Sequence, residues 1–437
     1  MGDLKQIARA VFCQTLAAID IPAVMQRKLA CEGAVLNLGS EGIDLTSFSR
    51  VFVVAIGKAA HAMVSGLLQL LPQSTRPVGV VCAPVAPASP VPDMSYFVGG
   101  HPTPNIESWK AAQAILTLLG HADARTLIFF LLSGGGSALV ELPLDPSQTL
   151  EDVQQLHRAL VTCGASIDEI NTVRKHLSAV KGGRFAVAAP AAKKITLAVS
   201  DVPAGKESAL ASGPTLSDPT TVADFRRIVT AYRLSERFSP SLQRWIAAGN
   251  PPETPKPGHP AFANGHFCLL LGVDDLFHPA HHAAETHGFL ARCDNSTDDW
   301  PVERAAESLL AQLKDLRETH PRRRVALIAD GELSSPVIGS GIGGRNSAFI
   351  LACVERIAGQ PIAVLSAGTD GMDGNSPGAG AVADGETLAR ARSRGLDPAT
   401  FFRNSDAYRF FAELGDAIVT GPTGTNLRDL RILLDEP

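Results

Sequence analysis

The sequence lacks the features of several common protein classes. Its seven cysteines lie 18 or more residues apart and form no CxxC pair, which excludes a disulfide framework and a clustered zinc site. Its longest apolar runs, such as Leu127–Leu132, have the length of a strand, whereas a membrane helix needs about 18 apolar residues. No basic segment followed by an apolar core begins the chain. We therefore expect a cytoplasmic protein with no membrane partner.

Charge and motif content exclude further functions. Lys and Arg number 39 against 44 Asp and Glu, a formal net charge of −5, and no run of five like charges occurs. We therefore expect no nucleic-acid partner. The HExxH and GK[ST] motifs are absent, which removes the commonest zinc-protease and P-loop interpretations.

What the sequence does contain is an alternation of β-rich apolar runs with amphipathic stretches. Such runs bounded by glycine are typical of strands buried on both faces of a parallel sheet. The predicted strands are 51–56, 127–132, 195–200, 267–273, 325–329 and 362–365, and the predicted helices are 59–71, 150–161 and 301–316. Asn250–Pro260 contains five prolines and interrupts this pattern. It predicts a linker or a long surface excursion between two α/β domains, residues 1–249 and 262–437.

Two loops directly after predicted strands are candidates for anion binding, because ligands of open α/β sheets gather at the carboxyl ends of the strands. Gly57-Lys58 follows the first strand, and Ser133-Gly-Gly-Gly-Ser137 follows the second. A lysine at a helix N-terminus can meet a phosphate or carboxylate, or can simply lie in solvent beside a turn. Three successive glycines suit a cradle for phosphate, with a flexible linker as the alternative.

Later loops add acidic candidates. Asp201, Asp370 and Asp373 can each hold Mg²⁺, Asp201 can also accept a proton from a hydroxyl, and each can equally be a turn residue. Arg345, at the start of a predicted helix, suits a fork contact to phosphate or carboxylate. The glycines at 339, 341 and 344 satisfy GxGxxG but begin ten residues after the predicted strand, so we do not expect a Rossmann dinucleotide site there.

Nine motifs along the chain carry a family resemblance. They are Gly57-Lys-Ala-Ala60, His101-Pro-Thr-Pro104, Leu132-Ser-Gly-Gly-Gly-Ser-Ala-Leu139, Ile167–Ser178, Lys181-Gly-Gly-Arg184, Ser200-Asp-Val202, Ala211-Ser-Gly-Pro-Thr215, Gly343-Gly-Arg-Asn346 and Gly421-Pro-Thr-Gly-Thr-Asn426. Together and in this order they resemble the glycerate 2-kinase family, whose members carry a C-terminal MOFRL domain. Some members of that family bear the label hydroxypyruvate reductase.

The resemblance implies a fold and a reaction. The fold would be α/β, with a Rossmann-like N-terminal α/β domain, a smaller α/β MOFRL domain and an active site in the cleft between them. The reaction would transfer the γ-phosphoryl group of ATP to the C-2 hydroxyl of D-glycerate, with Mg²⁺ as cofactor. Lys58 and Arg345 would neutralise the transferring phosphoryl group and the substrate carboxylate. Asp201 would be a Mg²⁺ ligand or the acceptor of the hydroxyl proton.

The matched motifs supply the remaining candidates. Cofactor binding is predicted for Gly57, Ser133, Gly134, Gly135, Gly136, Ser137, Gly343, Gly344, Asn346, Thr423, Gly424, Thr425 and Asn426. Substrate binding is predicted for His101, Asn171, Arg174 and Lys175, and metal binding for Asp201, Asp370 and Asp373. The expected partners are ATP and D-glycerate, and it stays open whether the chain forms a homodimer.

The sequence departs from the family pattern at two places. After Ser200-Asp-Val202 the family usually shows Gly-Asp-Asp or a similar acidic pair, whereas residues 203–207 here read Pro-Ala-Gly-Lys-Glu. After Gly-Gly-Arg-Asn the family often has an acidic residue two positions on, where this chain has Ala348. These departures leave open another 2-hydroxy acid as acceptor, and a protein that only binds a phosphorylated metabolite. The family's second label and the formal GxGxxG leave open a third alternative, an NAD(P)H-dependent hydroxypyruvate reductase.

Overall fold

The chain divides into two compact units. The structure, a computed structural model, describes residues 3–200, 202, 205–425 and 427–437. Residues 21–272 form one unit, called here the inserted unit, and residues 1–20 together with 273–437 form the other, called the terminal unit. These units differ from the predicted domain boundaries because the first helix belongs with the second half of the chain.

The elements as far as residue 272 follow the predicted alternation. They are α1 (Leu4–Ala18), α2 (Ile21–Lys28), β1 (Leu29–Glu32), β2 (Val35–Leu38), β3 (Glu41–Asp44), β4 (Arg50–Ile56), α3 (Ala60–Leu70), β5 (Val78–Ala83), β6 (Met94–Val98), α4 (Ile106–Gly120), β7 (Thr126–Ser133), α5 (Gly136–Leu139), α6 (Leu150–Val161), α7 (Ile167–Leu177), α8 (Arg184–Ala188), β8 (Lys193–Val199), α9 (Val222–Ala231), α10 (Pro240–Ala247) and β9 (Gly265–Leu271). Short 3-10 helices cover Leu45–Ser47, Glu207–Ser212, Leu234–Arg237 and Pro260–Phe262.

The inserted unit is built on a parallel sheet with the order β6-β5-β4-β7-β8-β9. Every residue of β7 is buried, as its unbroken apolar run predicts. Helix α3 packs against β4, β5 and β7, and α4 packs against β5 and β6. A separate antiparallel sheet, β1-β2-β3, precedes it. The Rossmann-like α/β fold predicted for this part of the chain is confirmed.

The proline-rich segment Asn250–Pro260 lies inside the inserted unit. The amide of Asp218 donates a hydrogen bond to the carbonyl of Pro255 at 3.0 Å, and the hydroxyl of Thr254 donates to the Asp218 carboxylate at 3.0 Å. Strand β9 follows this segment and pairs in parallel with β8. Of the two interpretations that the prolines allowed, the surface excursion is therefore the one that the packing supports.

The terminal unit contains the remaining elements. They are α11 (Asp274–Thr286), β10 (Leu290–Asp294), α12 (Val302–Thr319), β11 (Val325–Asp330), α13 (Arg345–Val354), β12 (Ile362–Gly368), β13 (Gly380–Asp384), α14 (Thr387–Ser393), α15 (Pro398–Arg403), α16 (Ala407–Leu414), β14 (Ala417–Ile418) and β15 (Asp429–Asp435). The sheet has the order β10-β11-β15-β12-β13-β14, in which β10 and β11 are parallel and the other pairs are antiparallel.

The last strand is central to the terminal unit. Strand β15 lies between β11 and β12 and is buried along its whole length. Helices α12 and α13 pack on this sheet, and α1 packs against β12, β13 and β15. In the described part of the chain no single helix is long and apolar enough to cross a membrane, and only the bent pair α1 and α2 reaches that length and hydropathy together.

Candidate functional site

Two of the predicted loops meet in the inserted unit. Strands β4 and β7 are neighbours in the sheet, but the strand that follows each of them in the chain lies on opposite sides of this pair: β5 is next to β4, and β8 is next to β7. The carboxyl ends of β4 and β7 therefore form a topological switch point. The amide of Lys58 donates to the carbonyl of Gly134 at 3.0 Å, and the amide of Ala59 donates to the hydroxyl of Ser133 at 3.0 Å. The loops after β4 and β7 therefore form one structure at the position where α/β sheets bind ligands.

Gly57 makes this close contact possible. Its φ angle is +127°, a region that side chains rarely adopt, and a Cβ atom there would stand 2.1 Å from the hydroxyl oxygen of Ser133. Any larger residue would therefore separate the two loops. Gly57 supports the predicted site by its shape, whatever ligand the site takes.

His101 lies beside the triple-glycine loop. A Cβ atom on Gly135 would be 3.3 Å from the imidazole Cδ2 and 3.6 Å from Cγ of Lys58. Partial desolvation of the imidazole, followed by the positive charges of Lys58 and Arg174, lowers the pKa of His101. The three predicted residues thus form a positively charged group in which the imidazole is held in its neutral form.

Asn171 belongs to a hydroxyl network with Ser137. The Ser137 and Ser212 hydroxyl oxygens are 2.8 Å apart, and Ser212 donates to the amide oxygen of Asn171 at 3.0 Å. Ser212 is fully buried with a φ of +59°, and Ala211 before it has a φ of +49°. Left-handed backbone is costly for such residues and tends to occur where function requires it. The sequence contained Ser212 within a family motif, but no local pattern distinguished it as part of the site.

Lys175 and Arg174 have different surroundings. The ammonium of Lys175 donates to the fully buried carboxylate of Asp218 at 3.3 Å, so its charge is matched within the protein. Among the described residues, the buried Nε of Arg174 has no hydrogen-bond partner. Burial lowers the pKa of Arg174, and the charge of Glu141 opposes that shift. Of these two predicted substrate residues, Arg174 is therefore the one with an N–H group that is not used in a hydrogen bond among the described residues.

A buried network adjoins these cations, and the sequence analysis missed it. The carboxylate of Glu141 accepts hydrogen bonds from Lys181 Nζ at 2.5 Å and from the Ser178 hydroxyl at 2.6 Å, and the ring of His157 lies 3.1 Å away. Burial alone would raise the pKa of Glu141, but the charge of Lys181 and these hydrogen bonds lower it to about 2. Glu141 is therefore a fixed buried anion in the charge field of Arg174.

In the terminal unit, Asp373 caps a helix. Its carboxylate accepts the backbone amides of Asn346 and Ser347, each at 2.9 Å, and the Ser347 hydroxyl at 2.6 Å. A Cβ atom on Gly344 would stand 2.3 Å from this carboxylate, so glycine is needed there. The side chain of Asn346 is also engaged, because its amide oxygen accepts the hydroxyl of Ser366 at 2.6 Å. These predicted residues build the N-terminus of α13, which begins at Arg345.

Arg345 lies between two carboxylates. Its Nε donates to Asp429 at 2.5 Å and its Nη2 to the same carboxylate at 3.4 Å, while Nη1 donates to Glu332 at 2.8 Å. The two negative charges outweigh the effect of burial and raise the pKa of Arg345. The cation predicted to meet an oxyanion is therefore present, and it already holds two anions of its own chain.

The remaining predicted loops of the terminal unit also adjoin each other. The Thr423 hydroxyl donates to the carbonyl of Thr369 at 2.5 Å, and the amide of Thr425 donates to the Thr423 hydroxyl at 3.2 Å. A Cβ atom on Gly371 would stand 2.0 Å from the carbonyl oxygen of Gly421. Asn426, predicted to bind cofactor, lies outside the described residues. Gly343 and Gly424 both have positive φ angles in these loops.

The described residues do not assemble a protein metal site. No group of three or more His, Cys, Asp or Glu residues among them could hold a metal ion. The carboxylate of Asp373 is occupied in capping α13, and that of Asp370 accepts a hydrogen bond from the amide of Met372 at 3.0 Å. Asp201 lies outside the described residues. A divalent ion bound here would take most of its ligands from substrate phosphates and water, as Mg²⁺ commonly does.

The GxGxxG match does not have the structure of a dinucleotide site. Strand β11 ends at Asp330, well before the first of these glycines. Cβ atoms on Gly339 and Gly341 would stand 2.4 and 2.6 Å from the carbonyl oxygen of Asn404. These glycines serve close packing of the loop on its own unit, in agreement with the expectation from the spacing.

Comparisons with known proteins identify the family of this chain. A family model described as a domain of unknown function (DUF4147) matches residues 7–247, and a model of the MOFRL family matches residues 325–429. The D-glycerate 2-kinase of Thermotoga maritima is 36% identical over 395 residues, which cover 90% of this chain and 92% of that protein. The glycerate 2-kinase of Pyrococcus horikoshii is 30% identical, covering 99% and 97% of the two chains.

A solved structure gives the same result. The crystal structure of a glycerate kinase from Thermotoga maritima superposes with a TM-score of 0.83 at 33% identity and covers 99% of each chain. The similarity therefore extends over both units. This chain belongs to the glycerate 2-kinase family with a C-terminal MOFRL domain.

Proposed function

We propose that this protein transfers the γ-phosphoryl group of ATP to the C-2 hydroxyl of D-glycerate and forms 2-phosphoglycerate. The observation that carries the proposal is the junction of Lys58 with the triple-glycine loop at the switch point of the parallel sheet. Relatives named as glycerate kinases, at 30% and 36% identity over almost the whole chain, support the choice of reaction.

The proposed roles follow from charge. Phosphoryl transfer requires that the reactants be positioned and that the charge on the transferring group be neutralised, rather than a covalent intermediate. Lys58 would meet the transferring phosphoryl group, and the amides of Gly134–Gly136 would hold phosphate oxygens. Arg174 and neutral His101 would bind the carboxylate and hydroxyls of glycerate. Arg345 would supply a further cation.

The proposed reaction also involves the proton of the glycerate hydroxyl and a Mg²⁺ ion. The hydroxyl proton needs an acceptor, and Asp201, which we propose for it, lies outside the described residues. Mg²⁺ would enter with ATP and screen its phosphate charge, and Asp370 is the described carboxylate that we propose as its contact. No part of the proposed roles of Lys58, Arg174 or Arg345 depends on how that ion is held.

A phosphorus NMR assay with ATP, MgCl2 and D-glycerate tests the proposal. We expect a 2-phosphoglycerate resonance from the wild-type protein, and a loss of at least about a hundredfold in rate for Lys58→Ala and Arg345→Ala, because each removes a transition-state charge contact. Lys110→Ala is the matched control, since Lys110 is a surface lysine paired with Glu107. Circular dichroism would establish that all variants are folded.

The same assay separates the alternatives. A 3-phosphoglycerate product would contradict the proposed position of transfer, and near-normal rates in both variants would contradict the residue roles. If glycerate and other 2-hydroxy acids all fail while ATP still binds, the protein is a family member that only binds its ligands. NADH titration, followed by cofactor fluorescence, would reveal a reductase.

A further inference from the structure

The two partners of Arg345 differ sharply in exposure. The side chain of Asp429 is 4% exposed, whereas that of Glu332 is 46% exposed, and Arg345 itself is 33% exposed. Asp429 meets the guanidinium on the side of Nε and Nη2, and Glu332 meets it at Nη1. One carboxylate thus holds the guanidinium from within the protein, and the other holds it from the solvent side.

The two contacts also differ in strength. A buried carboxylate that accepts two guanidinium N–H groups has favourable hydrogen-bond geometry, and water screens the attraction only weakly. Removing it leaves an unmatched buried charge. A contact made by a half-exposed carboxylate is screened by water and salt and contributes little to stability. The contact of Arg345 with Glu332 can therefore be exchanged, whereas its contact with Asp429 cannot be exchanged without disturbing the fold.

The cations around Arg345 are already paired with carboxylates, so an added anion would not be neutralised unless one of those carboxylates moved away. Arg428 contacts Asp298 and lies 3.7 Å from the carboxylate of Asp330, and the charge of Glu332 also acts on it, so that cation is already matched. The charges of Asp429 and Glu332 both act on Arg345. An oxyanion arriving at Nη1 would therefore bring a third negative charge to one guanidinium unless Glu332 withdrew.

We infer that Glu332 is an internal substitute for the oxyanion of a ligand: it occupies Nη1 of Arg345 in the free protein and is displaced when a phosphoryl or carboxylate group binds there. Asp429 keeps the guanidinium in place in both states and is a positioning residue. The inference rests on the proposed function only for the identity of that ligand. It follows that Glu332 weakens ligand binding by competing with it.

A double-mutant cycle tests this competition without using turnover. Binding of inorganic phosphate is measured by titration calorimetry for the wild-type protein, Glu332→Gln, Arg345→Ala and the double variant, and then repeated with D-glycerate. We expect Glu332→Gln to bind at least one of these two ligands about fivefold more tightly, because an exposed ion pair of this kind no longer has to be broken. The same substitution should change nothing when Arg345 is Ala.

The control and the contradicting outcomes are equally specific. Glu318→Gln removes an exposed carboxylate paired with Lys314 on α12 of the same unit, and should leave both affinities unchanged. No gain for either ligand, or an equal gain in the Arg345→Ala background, would overturn the inference, since the second result would mean only a general charge effect. Coupling with phosphate or with glycerate supports it and identifies which anion Arg345 receives.

This experiment also separates the inference from the proposed function. A protein without kinase activity that still shows the coupling would contradict the proposed reaction and leave the exchange at Arg345 in place. An active kinase in which Glu332→Gln has no effect on either ligand would do the reverse. In an active kinase, Glu332→Gln should lower KM for the coupled substrate by about the same fivefold factor.

Discussion

Each unit buries a carboxylate among cations, and the two carboxylates behave in opposite ways. Glu141 of the inserted unit accepts hydrogen bonds from Lys181, Ser178 and the amide of Leu142, and its pKa falls to about 2. Asp330 of the terminal unit is equally buried, but its Oδ1 has no partner among the described residues, and desolvation raises its pKa to about 6. The pKa of a buried carboxylate falls when the charge of a contacting cation and hydrogen bonds to the charged form together outweigh desolvation, and it rises when they do not.

The difference extends to the two candidate anion-binding regions. In the inserted unit, partial desolvation and then the positive charges of Lys58 and Arg174 lower the pKa of His101, which lies beside the triple-glycine loop. In the terminal unit, Arg345 is compensated by Glu332 and Asp429. On the proposed roles, the first region would bind an anion directly, and the second would bind one in exchange for Glu332.

The largest expected effect is the loss of stability on removing the Glu141 charge. Glu141→Gln leaves Lys181, which is 1% exposed, without its counter-charge, and should lower the free energy of unfolding by about 3–5 kcal/mol. Urea unfolding monitored by fluorescence and circular dichroism measures it. Glu107→Gln, which breaks an exposed pair with Lys110, is the control and should cost less than about 1 kcal/mol. Equal losses in the two variants would remove the contrast drawn here.

Asp330 should make the protein less stable as pH rises. Its folded-state pKa is about 6, whereas an unfolded Asp titrates near about 3.9, so the folded protein binds more protons between these values. The unfolding free energy should therefore fall by roughly 3 kcal/mol from pH 4 to pH 7 through this group. Glu141 acts in the opposite sense, because its stabilisation is present above about pH 4 and is lost as pH falls through about 2.

Calorimetric melting of the wild-type protein and Asp330→Asn at pH values from 4 to 7 checks this slope. The difference in stability between the two proteins should change by roughly 3 kcal/mol over that range. Asp298→Asn, at a more exposed carboxylate that contacts Arg428, serves as the control. Parallel curves for the wild-type protein and Asp330→Asn would mean that folding does not shift the pKa of Asp330.

The smallest expected effect concerns a departure from the family pattern. Lys206, in the segment 203–207 that departs from the expected family pattern, donates to Asp168 at 2.7 Å, and both side chains are more than half exposed. Lys206→Ala should therefore change the free energy of unfolding by less than about 1 kcal/mol, with a smaller change at high salt. Thermal melting at two salt concentrations measures it. A severe loss of turnover in this variant would show that Lys206 contacts a substrate.

The local elements were predictable from the sequence. The apolar runs at 51–56 and 127–132 fall within β4 and β7, and the amphipathic stretch 150–161 coincides with α6. The meeting of their loops was also predictable, because the carboxyl ends of parallel strands lie at one edge of a sheet. These features depend on hydrophobic periods and turn residues, which are properties of short segments.

The partners of the charged groups were not predictable in this way. Arg345 pairs with Asp429, 84 positions away, and Glu141 pairs with Lys181, 40 positions away. The hydrophobic periodicity of a segment does not indicate which charged side chain, far away in the sequence, it will contact. The helix cap formed by Asp373 was equally hidden, since Asp-Gly steps are ordinary turns. Patterns in the sequence therefore identified the candidate loops, but not how their charged side chains are paired.

The position of β15 has a consequence for how the protein is made. The ribosome completes the inserted unit at residue 272, when none of the strands of the terminal unit has yet been synthesised. The nascent inserted unit can fold at that stage, whereas α1 must wait for β12, β13 and β15. Premature termination before residue 429 would thus yield a product with one folded unit and one exposed, aggregation-prone remainder, a natural substrate for chaperones and proteases.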